Sequence, residues 1–518
     1  MTKVETSQPL KEPVVPAGAP TRMAVLRLAL QAYRVELLLF VACYVLFASF
    51  SAQRFLRQSA APHFVYQAQA WLDGRLELDP AVLPNLEDWA CARDVGGHKV
   101  RCEGAALAGD RWYVSFPWFP AVVMLPFVAL HGYQFNDTSF DVFFGALGVA
   151  LFYSLLRFLK FLGESERSRA DNVVLALVLG VGSVFFYCAI RGEVWFTAEV
   201  MGVTFTCLYL RMAVRARRPL LAGLFFSMAT LTRTPLAFGG VFFLLELACP
   251  EREDRLGQLR RLLANPRPLL RPLGMFVLGA LPLAIAAAAY NQVRFGHLGE
   301  FGHDFLFHNR VNADIDLHGL FSPVYLGRNL QAAFFELPAF LKEPLRLVYN
   351  PTGLTLFLTL PFLPLLVIPS AKEGTRQRAL LLVLGALMVL GLADLGGKSG
   401  LLGSPLTDFK VFQGALLAVS AAVFGGVLMD PSTPRLHVPL WLTAAVCAAP
   451  GLLYQNTGYM QFGFRFSLDY TPYLVVLFAL SAWSLRNLWV QGVLGLGMLV
   501  NFWGAVAFRG YTELTRGG

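Results

Sequence analysis

Residues 52 to 115 carry carboxylates, imidazoles, guanidiniums and aromatic rings directly after a long apolar run. Ionisable groups beside hydrocarbon-soluble segments mark places where water-soluble chemistry can meet a membrane. Glu87 and Asp88 follow Pro84-Asn85-Leu86 and precede Trp89. A carboxylate against aromatic walls can have its pKa raised until it takes a proton from an acceptor hydroxyl, the task of a general base in group transfer. The plainer alternative is a pair of solvated loop acids. His63, after Pro62, fits the orientation of a phosphate or carboxylate, or equally a water-facing start to a helix.

Three further segments hold comparable groups. Arg191-Gly192-Glu193-Val194-Trp195-Phe196-Thr197-Ala198-Glu199 joins two apolar runs, and charges at that depth are costly unless paired or facing water. Arg191, Glu193, Trp195 and Glu199 are therefore candidates, with an Arg191 to Glu193 ion pair as the structural alternative. Thr232-Arg233-Thr234-Pro235 splits another apolar run and places Arg233 where it binds an anion or merely snorkels. Gln461 to Pro472 sets Arg465 among aromatic residues just before a late apolar run. A guanidinium there matches phosphate oxygens while the rings face an acyl chain. The alternative pairs Arg465 with Asp469 one turn on.

Residues 291 to 350 hold His297, His303, His308 and His318 with Glu300, Asp304, Asp314 and Asp316. His303, Asp304 and His308 share one side if the segment is helical. A divalent metal is thus possible there, although no zinc spacing is present. His303 and Asp304 serve equally as substrate-binding groups in a polar cavity. Cys91 and Cys102 bracket ARDVGGHKVR, and a two-residue turn at Gly96-Gly97 puts them opposite each other. A disulfide is preferred to a metal site with His98, since two thiols and one imidazole fall short of a four-ligand cage.

These groups must be positioned by membrane helices. The chain has 518 residues, 56% hydrophobic and 15% charged, with a mean hydropathy of +0.54. That is far too apolar for a soluble domain of this length and predicts an all-α polytopic membrane protein. The net charge of +9 does not predict a nucleic-acid partner, because the Lys and Arg lie in short clusters between apolar runs. Runs long enough to cross a bilayer number about 12 to 14. They fall at 35 to 51, 116 to 132, 140 to 159, 172 to 190, 194 to 211, 219 to 233, 235 to 248, 273 to 290, 352 to 369, 379 to 394, 409 to 429, 438 to 453, 470 to 484 and 489 to 508.

The expected organisation is a cytoplasmic disordered tail at 1 to 34, a membrane module at 35 to 291 containing the extracytoplasmic loop 52 to 115, a second extracytoplasmic loop at 292 to 350, and further membrane helices at 351 to 518. Basic clusters at Arg211 to Arg218, 251 to 271 and Lys372 to Arg378 belong inside. One count does not close. If 116 to 132 crosses fully, the basic loop with Arg157, Lys160, Arg167 and Arg169 lies outside; either that segment does not cross or the loop is an exception. Within the first loop, FVYQAQAWLDGRL places Phe64, Gln67, Ala68 and Trp71 on one face, which predicts a helix along the membrane surface ended by Asp73-Gly74.

The layout resembles the GT-C class of membrane glycosyltransferases, the group of protein O-mannosyltransferases and aminoarabinose transferases. The resemblance rests on HFVYQAQAWLDGRL, YVSFPWFPAVVMLP, RGEVWFTAE, GLFFSMATLTRTPLAF and FGFRFSLDYTP, in that order along nearly the whole chain. It implies inverting transfer of a sugar from a polyprenyl-phosphate donor, drawn from the membrane lipids, to an acceptor on the extracytoplasmic face of a cell (inner) membrane. A first-loop acid would act as base, and Arg191, Arg233 and Arg465 would hold the lipid phosphate. Members of that class carry Asp a few residues before the surface helix, where this chain has Ser59-Ala60-Ala61-Pro62-His63. Either Glu87, Asp88 or Glu193 supplies the base, with His63, Trp89, Trp195, Glu199, His303 and Asp304 around the substrate, or the chain keeps the scaffold with altered chemistry. A lipid-linked glycan flippase or a non-catalytic scaffold are the other classes. A transporter would show internal repeats, which this sequence lacks. Gly396-Gly397-Lys398-Ser399 lacks the earlier glycine of a nucleotide loop and reads as a turn.

Overall fold

A computed structural model describes residues 30–84, 89–248, 255–309, 311–342, 345–348, 350, 352–367, 433–458 and 460–514. Glu87, Asp88, the expected spans 379 to 394 and 409 to 429, the basic cluster Lys372 to Arg378 and nearly all of the expected tail lie outside the described residues. The described chain is predominantly helical. Four helical stretches, Arg34–Leu56, Asp137–Phe161, Arg267–Phe295 and Leu488–Phe508, are long and apolar enough to cross a membrane.

The first module is built on two antiparallel helices, α1 (Arg34–Ser51) and α4 (Asp137–Phe161). Asn136 starts α4 by accepting a bond from the Ser139 amide, and Asp137 in its first turn complements the helix dipole. At one end Arg157 meets Glu36 at 2.9 Å. At the other the Asp137 carboxylate accepts from the Ser59 amide at 2.7 Å and the Ser59 hydroxyl at 2.6 Å. Gly145 lets α4 pass close to Ala189, whose Cβ would stand 2.6 Å from a Cβ there, and to the Phe47 ring at 3.2 Å.

Two short helices lie between them in sequence, α2 (His63–Leu72) and α3 (Phe119–His131). Asp73 ends α2, with Gly74 at φ 74°. The surface helix expected here is instead buried on most sides: His63, Phe64, Val65, Gln67, Ala68 and Ala70 are all inside. It is covered by α3 on one side and by Tyr290, which accepts from Gln67 and Trp71, on another.

Both ends of α3 meet the end of the molecule that holds Ser59 and Asp137. The Phe119 amide bonds the Leu231 carbonyl, and Gln58 donates to the Tyr133 carbonyl at 2.6 Å. The segment 116 to 132 therefore starts and finishes at one end rather than crossing between ends. At 13 residues it is about 20 Å long, too short for about 30 Å of hydrocarbon. With it removed from the count, Arg157 and Arg167 lie at the end where α1 begins.

Between α2 and α3 stands a three-stranded sheet, order β2-β1-β3, formed by β1 (Ala90–Val95), β2 (His98–Arg101) and β3 (Arg111–Tyr113). Gly96 and Gly97, at φ 58° and 85°, make the two-residue turn. Cys91 and Cys102 are bonded, with Cα atoms 5.4 Å apart.

The remaining helices are α5 (Arg169–Gly180), α6 (Val194–Ala213), α7 (Pro219–Thr230), α8 (Gly240–Ala248), α9 (Arg255–Ala264), α10 (Arg267–Phe295), α11 (Asn312–His318), α12 (Leu326–Phe334), α13 (His437–Leu453), α14 (Thr471–Leu480) and α15 (Leu488–Leu514). Two expected spans are broken. Residues 172 to 190 divide at Gly180 into α5 and a separate turn Phe185–Cys188, and 352 to 369 form only the short turns Leu356–Thr359 and Leu363–Val367. Helices α7 and α10 touch backbone to backbone. A Cβ on Gly223 would fall 1.9 Å from the Phe276 carbonyl, and one on Gly279 2.0 Å from that of Leu220.

At the end opposite Ser59, Arg435 bonds Glu164 and Glu246, each at 2.9 Å, just ahead of α13. Arg167 donates to the carbonyls of Phe478, Ala479, Ser481 and Trp483, satisfying the orphan acceptors at the end of α14.

Candidate functional site

Four of the sequence-derived residues converge on one cavity of about 210 Å³: Trp195, Arg233, His303 and Arg465. It lies between the ends of α6, α7 and α13, residues Ser115 to Pro117 ahead of α3, and the segment that precedes α11. Each residue arrives by a local interruption of a helix. The Val194 amide bonds the Ala61 carbonyl, which fixes the start of α6 and points its first turns at the cavity. Pro235 cannot continue α7, so Arg233 leaves it with extended backbone, φ −145° and ψ 120°. Arg465 opens a single 3₁₀ turn, Arg465–Asp469, ahead of α14.

The charges on this wall form a chain. Arg233 bonds Asp469 through two parallel contacts, 2.7 and 2.8 Å, and reaches Glu199 at 3.0 Å. Arg465 stands 3.7 Å from the same Glu199 and donates to the Gln461 side chain at 3.2 Å. Its guanidinium lies over Phe466 at 5.0 Å and Phe196 at 5.5 Å. The alternative Arg465 to Asp469 pair does not form, because Asp469 faces Arg233. Arg465 is the less well matched cation of the two. It is 6% exposed, and its Nε has no hydrogen-bond partner among the described residues.

The opposite wall is the segment 299 to 306. Gly302, at φ 108°, permits its close approach: a Cβ there would meet Phe295 at 2.9 Å and the Ser115 Cα at 3.0 Å. His303 lies edge-on to Phe116 and Tyr454. Burial, with positive Arg233 beyond, pushes its imidazole down to about 4, so it is neutral at pH 7. Glu300 also lines the cavity and accepts from the Gly302 amide. Burial first, then the neighbouring Asp304, pushes its carboxyl above the ordinary value.

The other candidates lie elsewhere. Arg191 and Glu193 pair at 3.0 Å, and Arg54 approaches Glu193 at 3.9 Å. This cluster is buried and off the cavity wall. Phe196 connects the two groups, with Arg191 at 5.4 Å from its centroid and Arg465 at 5.5 Å. His63 stacks on Trp89 at 3.9 Å and lies 6.1 Å from the Trp195 ring, one layer behind the lining. Asp304 is exposed.

Among the described residues, the histidines and acids of the second loop do not gather into a metal site. His308 bonds the Gly104 carbonyl, Asp316 bonds Arg101 and Asp314 bonds Gln455. His303 and His308 share no helix, since 303–305 is a single 3₁₀ turn and His308 has φ 45°. Among the described residues the grouping with metal-ligand spacing is Cys91, Cys102 and Asp110. Its sulfurs are joined to each other and Asp110 is engaged by Arg93.

Sequence reasoning missed Asp137 and Asp141, and offered Arg465 rather than Arg233 as the partner of Asp469. Asp141 accepts from the Gly192 amide at 3.1 Å, and Asp137 holds Ser59, just ahead of α2. Two carboxylates one turn apart at the start of an apolar run were the available signal. No family model, curated protein or solved structure matches this chain.

Proposed function

We propose that the protein is a membrane glycosyltransferase with a GT-C-like helical bundle, acting on the extracytoplasmic face of a cell membrane. It transfers a sugar from a polyprenyl-phosphate donor to an acceptor hydroxyl. The observation that carries this reading is Arg465: a buried guanidinium on a cavity wall, flanked by aromatic rings, whose nearest carboxylate is 3.7 Å away. A phosphate oxygen beside it would receive a charge-assisted bond that the resting protein supplies only weakly.

In the inverting step the acceptor oxygen attacks the anomeric carbon, and the bond from that carbon to the phosphate oxygen breaks. Polyprenyl phosphate leaves with the electron pair, and Arg465 stabilises its developing charge. The acceptor proton goes to a base. Glu193 is engaged by Arg191 and Arg54 and stands off the cavity, so it serves to fix the start of α6. Among the described residues the lining groups able to take the proton are His303 and Glu300. A bound phosphate anion would raise the basicity of His303 from its resting value.

The test is release of polyprenyl phosphate by purified protein from a panel of polyprenyl-phosphate sugars, beside Arg465→Ala and His303→Gln. Release that both substitutions abolish supports the assignment. Binding of the donor lipid without release would favour a carrier of lipid-linked glycans instead.

A further inference from the structure

Of the two acids behind the cavity wall, one is well held and the other is not. Asp469 receives two parallel hydrogen bonds from Arg233, at 2.7 and 2.8 Å. Glu199, early in α6, is 1% exposed, and neither of its carboxylate oxygens has a hydrogen-bond partner among the described residues. Arg233 approaches it at 3.0 Å and Arg465 at 3.7 Å. A carboxylate taken out of water stays charged only while neighbouring cations offset the lost hydration. For Glu199 those cations are the two arginines.

The other groups around it supply no positive charge. Arg233 is already committed to Asp469. From the turn Phe185–Cys188 the buried Cys188 thiol lies within electrostatic reach of Glu199, and Asp141 on α4, bonded to the Gly192 amide, acts on the same thiol. On the opposite wall His303 is neutral and Glu300 is another acid. At the start of α6, Arg191 and Glu193 pair with each other. The wall is thus balanced charge for charge, Arg233 against Asp469 and Arg465 against Glu199. An anion that bonds Arg465 removes one of the two cations on which the Glu199 charge depends. Taking up a proton is then the lower-energy outcome for Glu199, since an unmatched buried charge is strongly destabilising.

We infer that a phosphate anion entering the cavity displaces Glu199 from Arg465, and that Glu199 takes a proton from solvent and becomes a neutral acid. Binding of one negative charge is thereby coupled to uptake of one proton, and in the resting protein Glu199 competes with the ligand for Arg465. The protonated set carries a single net positive charge, which matches a phosphodiester. That the anion belongs to a lipid-linked sugar rests on the transferase reading. The exchange itself involves no transfer step.

The probe is farnesyl methyl phosphate, which has one fixed negative charge and no sugar. Its binding to the purified protein in detergent is measured by titration calorimetry over a pH series, in paired buffers of different ionisation heat. Wild type should take up about one proton, with affinity falling about tenfold for each pH unit where Glu199 is ionised before binding. Glu199→Gln, which imitates the neutral acid, should bind with neither uptake nor slope. His303→Gln should keep both, and Arg465→Ala should lose the binding. In wild type alone, an infrared difference spectrum should show a protonated carboxyl band growing with the probe, whether or not the variants fold. Binding without proton uptake, uptake that survives Glu199→Gln or vanishes in His303→Gln, equal binding by Arg465→Ala, or no binding at all would each overturn the inference. Proton uptake with the probe but no turnover of any sugar donor would leave the exchange standing and remove the transferase reading. Donor turnover that Arg465→Ala abolishes, without proton uptake on binding, would do the reverse.

Discussion

Arg233 and Asp469, 236 positions apart in the chain, meet through two parallel hydrogen bonds of 2.7 and 2.8 Å. This pair ties the break after α7 to the turn before α14. It also leaves Glu199 to be shared between two arginines, so Arg465 has only part of a counter-charge.

Asp469→Asn should destabilise the protein by breaking the buried pair behind the cavity wall. Removing one partner of a buried ion pair typically costs about 3–5 kcal/mol. The measurement is the unfolding midpoint in detergent for Asp469→Asn, Arg233→Gln and the double variant. The double variant should lose much less than the sum, and additive losses would disprove the coupling.

Arg465→Ala should separate stability from activity. Its contacts with Glu199 and Gln461 are long, so the midpoint should move less than for Arg233→Gln. Donor turnover should fall by about a hundredfold or more, the scale for losing one aligned donor to a charged transition state. Arg465→Lys should recover only part, because an ammonium cannot make the planar contact.

His303 gives stability a defined pH dependence. Its folded value is about 4 against an unfolded 6.5, so the unfolded chain binds more protons between those values. The folded state is therefore favoured above pH 6.5, loses stability as pH falls from 6.5 towards 4, and changes no further from this group below 4. Midpoints measured across that range should flatten in His303→Gln. An unchanged slope would place the titration elsewhere.

Gly223→Ala should separate α7 from α10. No side chain can yield at that contact, because the obstructing atom is the Phe276 carbonyl. Cross-linking of cysteine pairs across the two helices should decline, together with the yield of monodisperse protein. Ser227→Ala, one turn along α7, is the control.

Cys91 and Cys102 should resist alkylation until the protein is unfolded and reduced, since both are buried and joined. Replacing both by Ser should lower stability by about 2–3 kcal/mol, the scale for a loop of this size. The Arg101 to Asp316 contact, partly exposed, should contribute no more than about 1 kcal/mol when removed.

What the sequence disclosed was local. Gly96-Gly97 fixes its own turn, and the turn fixes the cysteine pairing, within a dozen residues. Asp73-Gly74 ends α2 for the same kind of reason. Arg233 and Arg465 were identifiable because a charge between apolar runs is costly wherever it lies. Their partners were not, since nothing near Arg233 indicates a carboxylate 236 positions away. Burial of α2 was likewise hidden, because Tyr290 reaches it from the far end of α10. Glu193 reads as a catalytic candidate in the sequence because a buried acid reads alike whether it faces a cavity or an arginine; the structure pairs it with Arg191.

Helix α3 has a consequence out of proportion to its size. Hydrophobicity alone counts Phe119–His131 as a pass, and a single miscounted pass reverses the parity of everything after it. Sidedness of the cavity, of every arginine cluster and of the carboxyl end would invert together. Under the proposed membrane reading, the polarity assigned to the chain thus depends on these 13 residues.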